Sequence, residues 1–213
     1  MNDVVVIDYG VGNLLSVSRA LEHCGAAVTI SSDAAVILAA RRVVLPGVGS
    51  FADSMAALRA HGLDVVAQQV AAKGTPLLGI CLGMQMLLDE SAEFGVTAGL
   101  GLIPGRVVQV PATSSAGLAH KIPHIGWNEL VPPQQGSNWG EGVLAAIEPG
   151  DAVYFVHSFM AVPAAPEHRL ADCCYGGIAI AAVIQNGNVL GCQFHPEKSG
   201  EVGLTILRKF LLQ

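Results

Sequence analysis

The sequence predicts an α/β fold: a single domain with an open mixed, mostly parallel sheet flanked by helices, and a cysteine on a sharp strand-to-helix turn. Three observations predict it. Short β-branched runs alternate with helical patterns from residue 4 to about 95. The second half instead carries strands joined by loops and an Asn-Gly hairpin. Of 213 residues, 52% are hydrophobic and only 13% charged. Strand–helix alternation favours parallel strands covered on both faces, and this composition excludes disorder.

Val4–Ile7 reads as a buried strand, ended by the turn Asp8-Tyr9-Gly10-Val11-Gly12. Leu14, Leu15, Val17, Leu21 and Cys24 follow at helical spacing, and Gly25 closes that helix. Val28–Ser31 and residues 43–45 are the next strands, with Ser32-Asp33 as a helix cap between them. Beyond Pro46-Gly47-Val48-Gly49, a helix carries Phe51, Met55 and Leu58, a second covers 65–72, and 77–80 is another buried strand. Residues 102–110, 124–130 and 153–157 read as strands. Residues 178–185 and 189–194 form a hairpin around Asn186-Gly187-Asn188, because Asn-Gly suits a turn requiring positive φ. An amphipathic helix spans 202–212, and 112–120 and 132–142 are polar loops. No linker or repeat divides residues 1–213, so one domain is expected.

Several function classes are excluded. A net charge of −6 gives no electrostatic reason to expect nucleic acid. No apolar run approaches the roughly 18 residues of a membrane span, and Met1-Asn2-Asp3 followed by Asp8 is the wrong start for a signal peptide. Cysteines fall at 24, 81, 173, 174 and 192 with no Cys-x-x-Cys. A disulfide framework or zinc cluster is not expected; most of these thiols should be buried, in a cytoplasmic protein. His120 and His124 have helical metal-ligand spacing, but Pro123 breaks any helix there, so no metal site is expected.

One cysteine differs. Gly79-Ile80-Cys81-Leu82-Gly83 runs from a strand into a turn with glycine on either side, and the apolar run 84–88 starts a helix. This is the cysteine form of a nucleophile elbow. The helix dipole favours a thiolate and an oxyanion, and the Leu82 N–H is a natural oxyanion donor. A thiol nucleophile wants a base, and the base an orienting group. Gln193-Phe194-His195-Pro196-Glu197 supplies both, with His195 and Glu197 two apart and so on one side of an extended backbone. A bare Gly-x-Cys-x-Gly is equally compatible with a buried structural cysteine; the strand-end His-Pro-Glu favours the catalytic reading.

Together, Gly79-Ile80-Cys81-Leu82-Gly83-Met84-Gln85 and His195-Pro196-Glu197 resemble the triad (class I) glutamine amidotransferases. Three further stretches resemble one branch of that family, the glutaminase subunits of imidazole glycerol phosphate synthases in histidine biosynthesis. They are Ile7–Leu14, the run Leu45-Pro46-Gly47-Val48-Gly49-Ser50-Phe51, and Pro123-His124-Ile125-Gly126-Trp127-Asn128. The resemblance implies Cys81 as nucleophile, His195 as general base and then acid, and Glu197 as orienter, passing through a glutamyl thioester. It places residues 46–49 as the second half of the oxyanion hole, and Gly49, Gln85 and the backbone of Ser158-Phe159 around the glutamine. It implies no cofactor. The implied partner is a (β/α)8-barrel cyclase subunit, joined as a heterodimer through Asn13, Pro123, Trp127 and Lys198. The family's His-Ser-Tyr stands here as His157-Ser158-Phe159, so a hydroxyl at 159 is missing. Two alternatives stay open: a glutaminase feeding chorismate or a pyridoxal phosphate synthase, and a non-catalytic scaffold.

Gly47-Val48 adds a physical inference. A main-chain donor here can turn into or out of the oxyanion hole through ψ of Gly47 and φ of Val48. Glycine permits this freely, whereas positive φ at a β-branched residue costs roughly 1–3 kcal/mol.

Overall fold

The computed structural model describes residues 4–133 and 139–213. Met1–Asp3 and residues 134–138 of the predicted loop 132–142 lie outside the described residues. The first half follows the predicted alternation: β1 (Val4–Ile7), α1 (Leu14–His23), β2 (Val28–Ser31), α2 (Ala34–Leu38), β3 (Val43–Gly47), α3 (Phe51–Ala60), α4 (Leu63–Ala72) and β4 (Leu77–Cys81). The helix after Cys81, α5 (Leu82–Met86), begins two residues earlier than the apolar run suggested and is only five residues long. Then come β5 (Glu90–Ser91), β6 (Thr97–Ala98), β7 (Gly105–Gln109), β8 (His124–Val131), β9 (Ala152–His157), β10 (Phe159–Pro163), β11 (Arg169–Tyr175), β12 (Ile178–Asn186), β13 (Val189–Cys192) and α6 (Gly200–Phe210).

Local chemistry sets several boundaries. Asp33 accepts from the Ala35 and Val36 amides and starts α2. Ser50 accepts from the Asp53 amide and donates to its carboxylate at 2.6 Å, a reciprocal cap that starts α3. Gly25, at φ +93°, closes α1. Leu15 is exposed, although it matches the apolar spacing of α1.

Nine strands form one sheet in the order β2-β1-β3-β4-β13-β12-β11-β8-β9. The pairings from β2 to β13 are parallel, and those from β13 to β9 antiparallel. Seven strands therefore point one way, with β8 and β12 against them. β1 shows why its residues are all apolar: Val4 and Val6 pack into the core on one face, Val5 and Ile7 into the core on the other. Leu21, Ile206 and Phe210 of α1 and α6 share the first core, and Ile37, Leu58 and Leu63 of α2 to α4 the second.

A second sheet corrects the single-sheet reading. The strand expected over 102–110 is β7, and it leaves the main sheet to pair antiparallel with β10 and parallel with β5. The order is β10-β7-β5-β6. β5 and β6 are two residues each and carry no periodic signal of their own.

The active edge is fixed by three glycines. A Cβ on Gly47 would lie 2.7 Å from the Gly83 nitrogen, and one on Gly79 would lie 2.7 Å from the Met84 nitrogen. A Cβ on Gly83 would run into the Leu45 carbonyl. Backbones of β3, β4 and α5 touch here with no room for a side chain. Gly83→Ala should therefore overpack rigid backbone and cost about 3 kcal/mol. Calorimetry should show the melting midpoint falling by about 6–12 °C. Gly187→Ala is the contrast: a Cβ there meets nothing within 4 Å, and only its φ of +56° is strained.

Candidate active site

β4 delivers Cys81 to the sheet edge at φ 55° and ψ −110°. Among the described residues the only other non-glycine at positive φ is Phe94. Strain of this kind, on the order of 1–3 kcal/mol, persists only where the surroundings hold it, and the glycine contacts above do so. As the first residue of α5, Leu82 has an amide with no intrahelical acceptor. Gly47 pairs with Cys81 in the β3–β4 ladder, which brings the Pro46–Gly49 segment alongside the sulfur. Val48 is not among the residues at positive φ.

His195 follows β13, whose Cys192 pairs with Ile80 of β4. Its backbone is pinned twice: its amide donates to the Tyr154 carbonyl at 3.0 Å, and its carbonyl accepts from Ser199 Oγ at 2.6 Å. Ser199 Oγ in turn accepts from the Tyr154 amide at 2.9 Å. His195 Nδ1 lies 2.8 Å from Glu197 Oε1, with both side chains buried. The expected extended geometry does not hold beyond His195. Pro196–Lys198 is a 3-10 turn, and it is this turn that folds the carboxylate back to the ring. Pro196, with φ preset, starts the turn as it would start a helix.

Burial alone would lower the His195 imidazole. Hydrogen bonds and negative charge from Cys81 and Glu197 outweigh it, and its pKa is pushed up to about 9. A buried amide chain approaches the sulfur from the other side. Gln193 Nε2 stands 3.8 Å from Cys81 Sγ, and Gln193 Oε1 accepts from Gln85 Nε2 at 3.0 Å. Gln85 Nε2 also donates to the Phe159 carbonyl at 2.9 Å. Gln193 was not singled out from the sequence, although it sits two residues before His195 and so faces the same side of an extended chain.

Cys81, Leu82, Gln85 and His195 line a cleft of ≈310 Å³ together with Val48, Gly49, Ser158 and Phe159. Glu93, also unforeseen, lines the cleft, and its carboxylate accepts from the Phe51 amide at the start of α3 (2.6 Å). Pro123 lines the cleft as well. Trp127 and Lys198 are exposed, and Asn13 is half-buried just before α1. Trp127, 59% exposed, is close to the turn after Lys198, where a Cβ on Gly200 would lie 3.9 Å from its ring. The other cysteines do not reach the cleft. Cys173 is pushed up to about 12, and Cys192 is held well above the ordinary thiol range, both chiefly by burial. Cys174 is exposed, against the expectation of burial, because its neighbour in β11 takes the inward position. Among the described residues no cluster of His, Cys, Asp or Glu could hold a metal ion, and no helix is long and apolar enough to cross a membrane.

Residues 5–213 match the family described as glutamine amidotransferase class-I. The chain belongs to that family. It is 54% identical over 211 residues to "Imidazole glycerol phosphate synthase subunit HisH 1" of Legionella pneumophila (strain Lens), covering 99% of each chain. It is 47% identical to "Imidazole glycerol phosphate synthase subunit HisH" of Geobacillus thermodenitrificans (strain NG80-2), covering 99% of this chain and 96% of the relative. Two solved structures share the class-I glutamine amidotransferase fold at low identity. One, described as a glutamine amidotransferase, superposes with a TM-score of 0.68 at 18% identity over 94% of each chain. The other, PurLQS from Thermotoga maritima, superposes with a TM-score of 0.68 at 20% identity, covering 98% of this chain and 97% of that one.

Beside the cysteine elbow of this class-I chain lies a second histidine pair. His157 Nδ1 is 2.8 Å from the Phe159 carbonyl, so Nδ1 carries the proton and Nε2 accepts. His124 Nδ1, 3.0 Å away, must donate to it. His124 Nε2 then accepts from Asn128 Nδ2 at 3.4 Å. Every ring nitrogen is assigned with both rings neutral. Burial lowers both pKa values to about 4, with the His157–Phe159 bond opposing the shift and neighbouring histidines adding to it.

The two kinds of histidine give opposite pH dependence. His195, raised to about 9, contributes stability that is complete below about 6.5 and lost as pH rises through about 9. His124 and His157, lowered to about 4, contribute stability present above about 6.5 and lost as pH falls through about 4. Urea midpoints from pH 4 to 10 should show both losses. In Cys81→Ala, NMR titration should find His195 below about 9, because two of the causes that raise it are removed.

Proposed function

We propose that this chain is the glutaminase subunit of an imidazole glycerol phosphate synthase, acting in the cytoplasm as one amidotransferase domain over residues 1–213. The observation that carries the catalytic reading is the buried Cys81–His195–Glu197 arrangement, with the imidazole raised to about 9 between a sulfur and a carboxylate. At neutral pH the imidazole already holds its proton, so it enters the reaction as an imidazolium beside the Cys81 sulfur. The thiolate adds to the glutamine carboxamide carbon. The Leu82 amide and, after rotation of the Gly47–Val48 peptide, the Val48 amide stabilise the resulting oxyanion. Imidazolium gives its proton to the departing nitrogen, releasing ammonia and leaving a glutamyl thioester. Neutral His195 then takes a proton from water, which hydrolyses the thioester to glutamate. Glu197 holds the ring throughout.

Substrate selection follows from unused polarity. Both amide hydrogens of Gln85 are committed to Phe159 and Gln193, so Gln85 offers the substrate only an acceptor oxygen. The Glu93 carboxylate gives the cleft a negative group suited to the α-ammonium of an amino acid. Phe159 lacks a hydroxyl, and its carbonyl is taken by Gln85 and His157. Position 159 therefore shapes the cleft through its backbone. Released ammonia passes to a (β/α)8-barrel cyclase subunit in a heterodimer, and it must travel unprotonated, since ammonium is costly to bury. Exposed Trp127 and Lys198, with Asn13 and Pro123, form the docking face. Relatives carrying the synthase-subunit description at 54% identity over nearly the whole chain favour this acceptor over chorismate or a pyridoxal phosphate synthase.

Cys81→Ala should lower glutamine hydrolysis by more than about 1,000-fold, while the complex still uses added ammonia. Glu197→Gln should lower kcat by about 100-fold or more. Glutamate release, assayed with and without ammonium salt, checks both. Trp127→Ala should weaken binding to the cyclase by about 30-fold, the loss of one interface anchor, as read by titration calorimetry. Turnover should also rise stepwise from the free chain, to the complex, to the complex with its nucleotide ligand; equal rates would remove the case for a rotating Gly47–Val48 peptide.

A further inference from the structure

The Gly47–Val48 peptide sits between two anchored carbonyls. Tyr9 Oη donates to the Pro46 carbonyl at 2.8 Å, and Ser54 Oγ donates to the Val48 carbonyl at 3.3 Å. Both side chains are 1% exposed. The Pro46 carbonyl belongs to the peptide plane before the mobile one, and the Val48 carbonyl to the plane after it. Between them only ψ of Gly47 and φ of Val48 remain to turn, which rotates the Gly47 carbonyl and the Val48 amide together as one rigid plate. Neither anchor uses an atom of that plate.

The two anchors come from separate elements. Tyr9 comes from the turn after β1, and Ser54 from the first turn of α3. Burial pushes the Tyr9 phenol up to about 12, with the Ser54 contact opposing and the Cys81 charge adding to the rise. The phenol therefore keeps its proton and remains a donor at any working pH. Without these bonds, rotation at Gly47 could spread into the neighbouring planes, and the Val48 amide would reach the oxyanion position in only some conformers.

We propose that Tyr9 and Ser54 are positioning residues that clamp both ends of the Gly47–Val48 peptide, confining its rotation to one hinge so that the Val48 amide meets the oxyanion in a single geometry. This rests on the assignment of the Val48 amide as an oxyanion donor. Neither residue touches the glutamine; each acts through a backbone carbonyl.

The test uses the full chain in complex with its cyclase partner, and compares Tyr9→Phe, Ser54→Ala and Val48→Pro with the unaltered protein. Each clamp variant should lower kcat by about 5- to 10-fold, the effect of one buried hydrogen bond. KM for glutamine should change by less than about 2-fold, and so should the rate at which iodoacetamide alkylates Cys81, because that displacement forms no oxyanion. The Val48 amide resonance should broaden or split in both clamp variants. Unchanged kcat in both would overturn the clamp, as would a joint fall in kcat, glutamine affinity and alkylation, which signals a merely structural role. Val48→Pro deletes the amide proton and forbids positive φ. Full activity in Val48→Pro would overturn the oxyanion assignment itself, whereas loss there with full activity in Tyr9→Phe and Ser54→Ala would overturn the clamp alone.

Discussion

Cys81 holds a backbone conformation that few non-glycine residues adopt, and the close approach of β3, β4 and α5 makes it possible. Gly47, Gly79 and Gly83 meet at distances that leave no space for a Cβ. Their contact fixes where β4 stops, where α5 starts and how sharply the chain turns between them. Register does the rest. β4 lies between β3 and β13, with Gly47 opposite Cys81 and Cys192 opposite Ile80. Parallel strands end at the same edge of a sheet, and that edge is where open α/β folds bind their ligands. The Pro46–Gly49 segment leaves one neighbour of β4 and His195 leaves the other, so these groups and Cys81 converge because three strands end together.

The cleft shows how one residue type is put to two uses. His195 has the Glu197 carboxylate at 2.8 Å and the influence of the Cys81 sulfur, and these outweigh the burial that would otherwise keep it neutral. His157, an arm's length away, faces a backbone carbonyl and another neutral ring, so burial wins and it stays uncharged. The distinction is in the partners, since both rings are buried. A ring poised to exchange a proton can serve chemistry. A ring with both nitrogens committed can serve only geometry, here by holding the Phe159 carbonyl that Gln85 also bonds.

What was legible in the sequence is what depends on local backbone. The Gly-x-Cys-x-Gly turn, the strand–helix alternation up to residue 95 and the Asn-Gly hairpin each announce themselves within a few residues. His195 and Glu197 were read as a pair on one side of an extended backbone; His195 is extended, but a 3-10 turn from Pro196 brings the carboxylate to the ring instead. The second sheet was not legible, because β5 and β6 are two residues each and the β7–β10 pairing spans some fifty residues of chain. Long-range polar contacts were equally hidden. Gln193 had one local signal, its place two residues before His195, whereas nothing near Glu93 signals that it would cap α3 while lining the cleft. Trp127 is exposed because β8 alternates.

That alternation carries a final consequence. Along β8, Ile125 and Trp127 point outward while His124 is buried and Asn128 is partly so. The outward side chains can change without disturbing the inward ones, because successive residues of a strand face opposite sides. Inward, Asn128 bonds His124, His124 bonds His157, and His157 bonds the carbonyl that fixes Gln85. Each link in that series uses a ring nitrogen in one defined protonation state, so the wall of the cleft is set by β8 to within the tolerance of a hydrogen bond. A single strand thus presents two exposed apolar side chains and holds one wall of the cleft, and a change in its register would alter both at once.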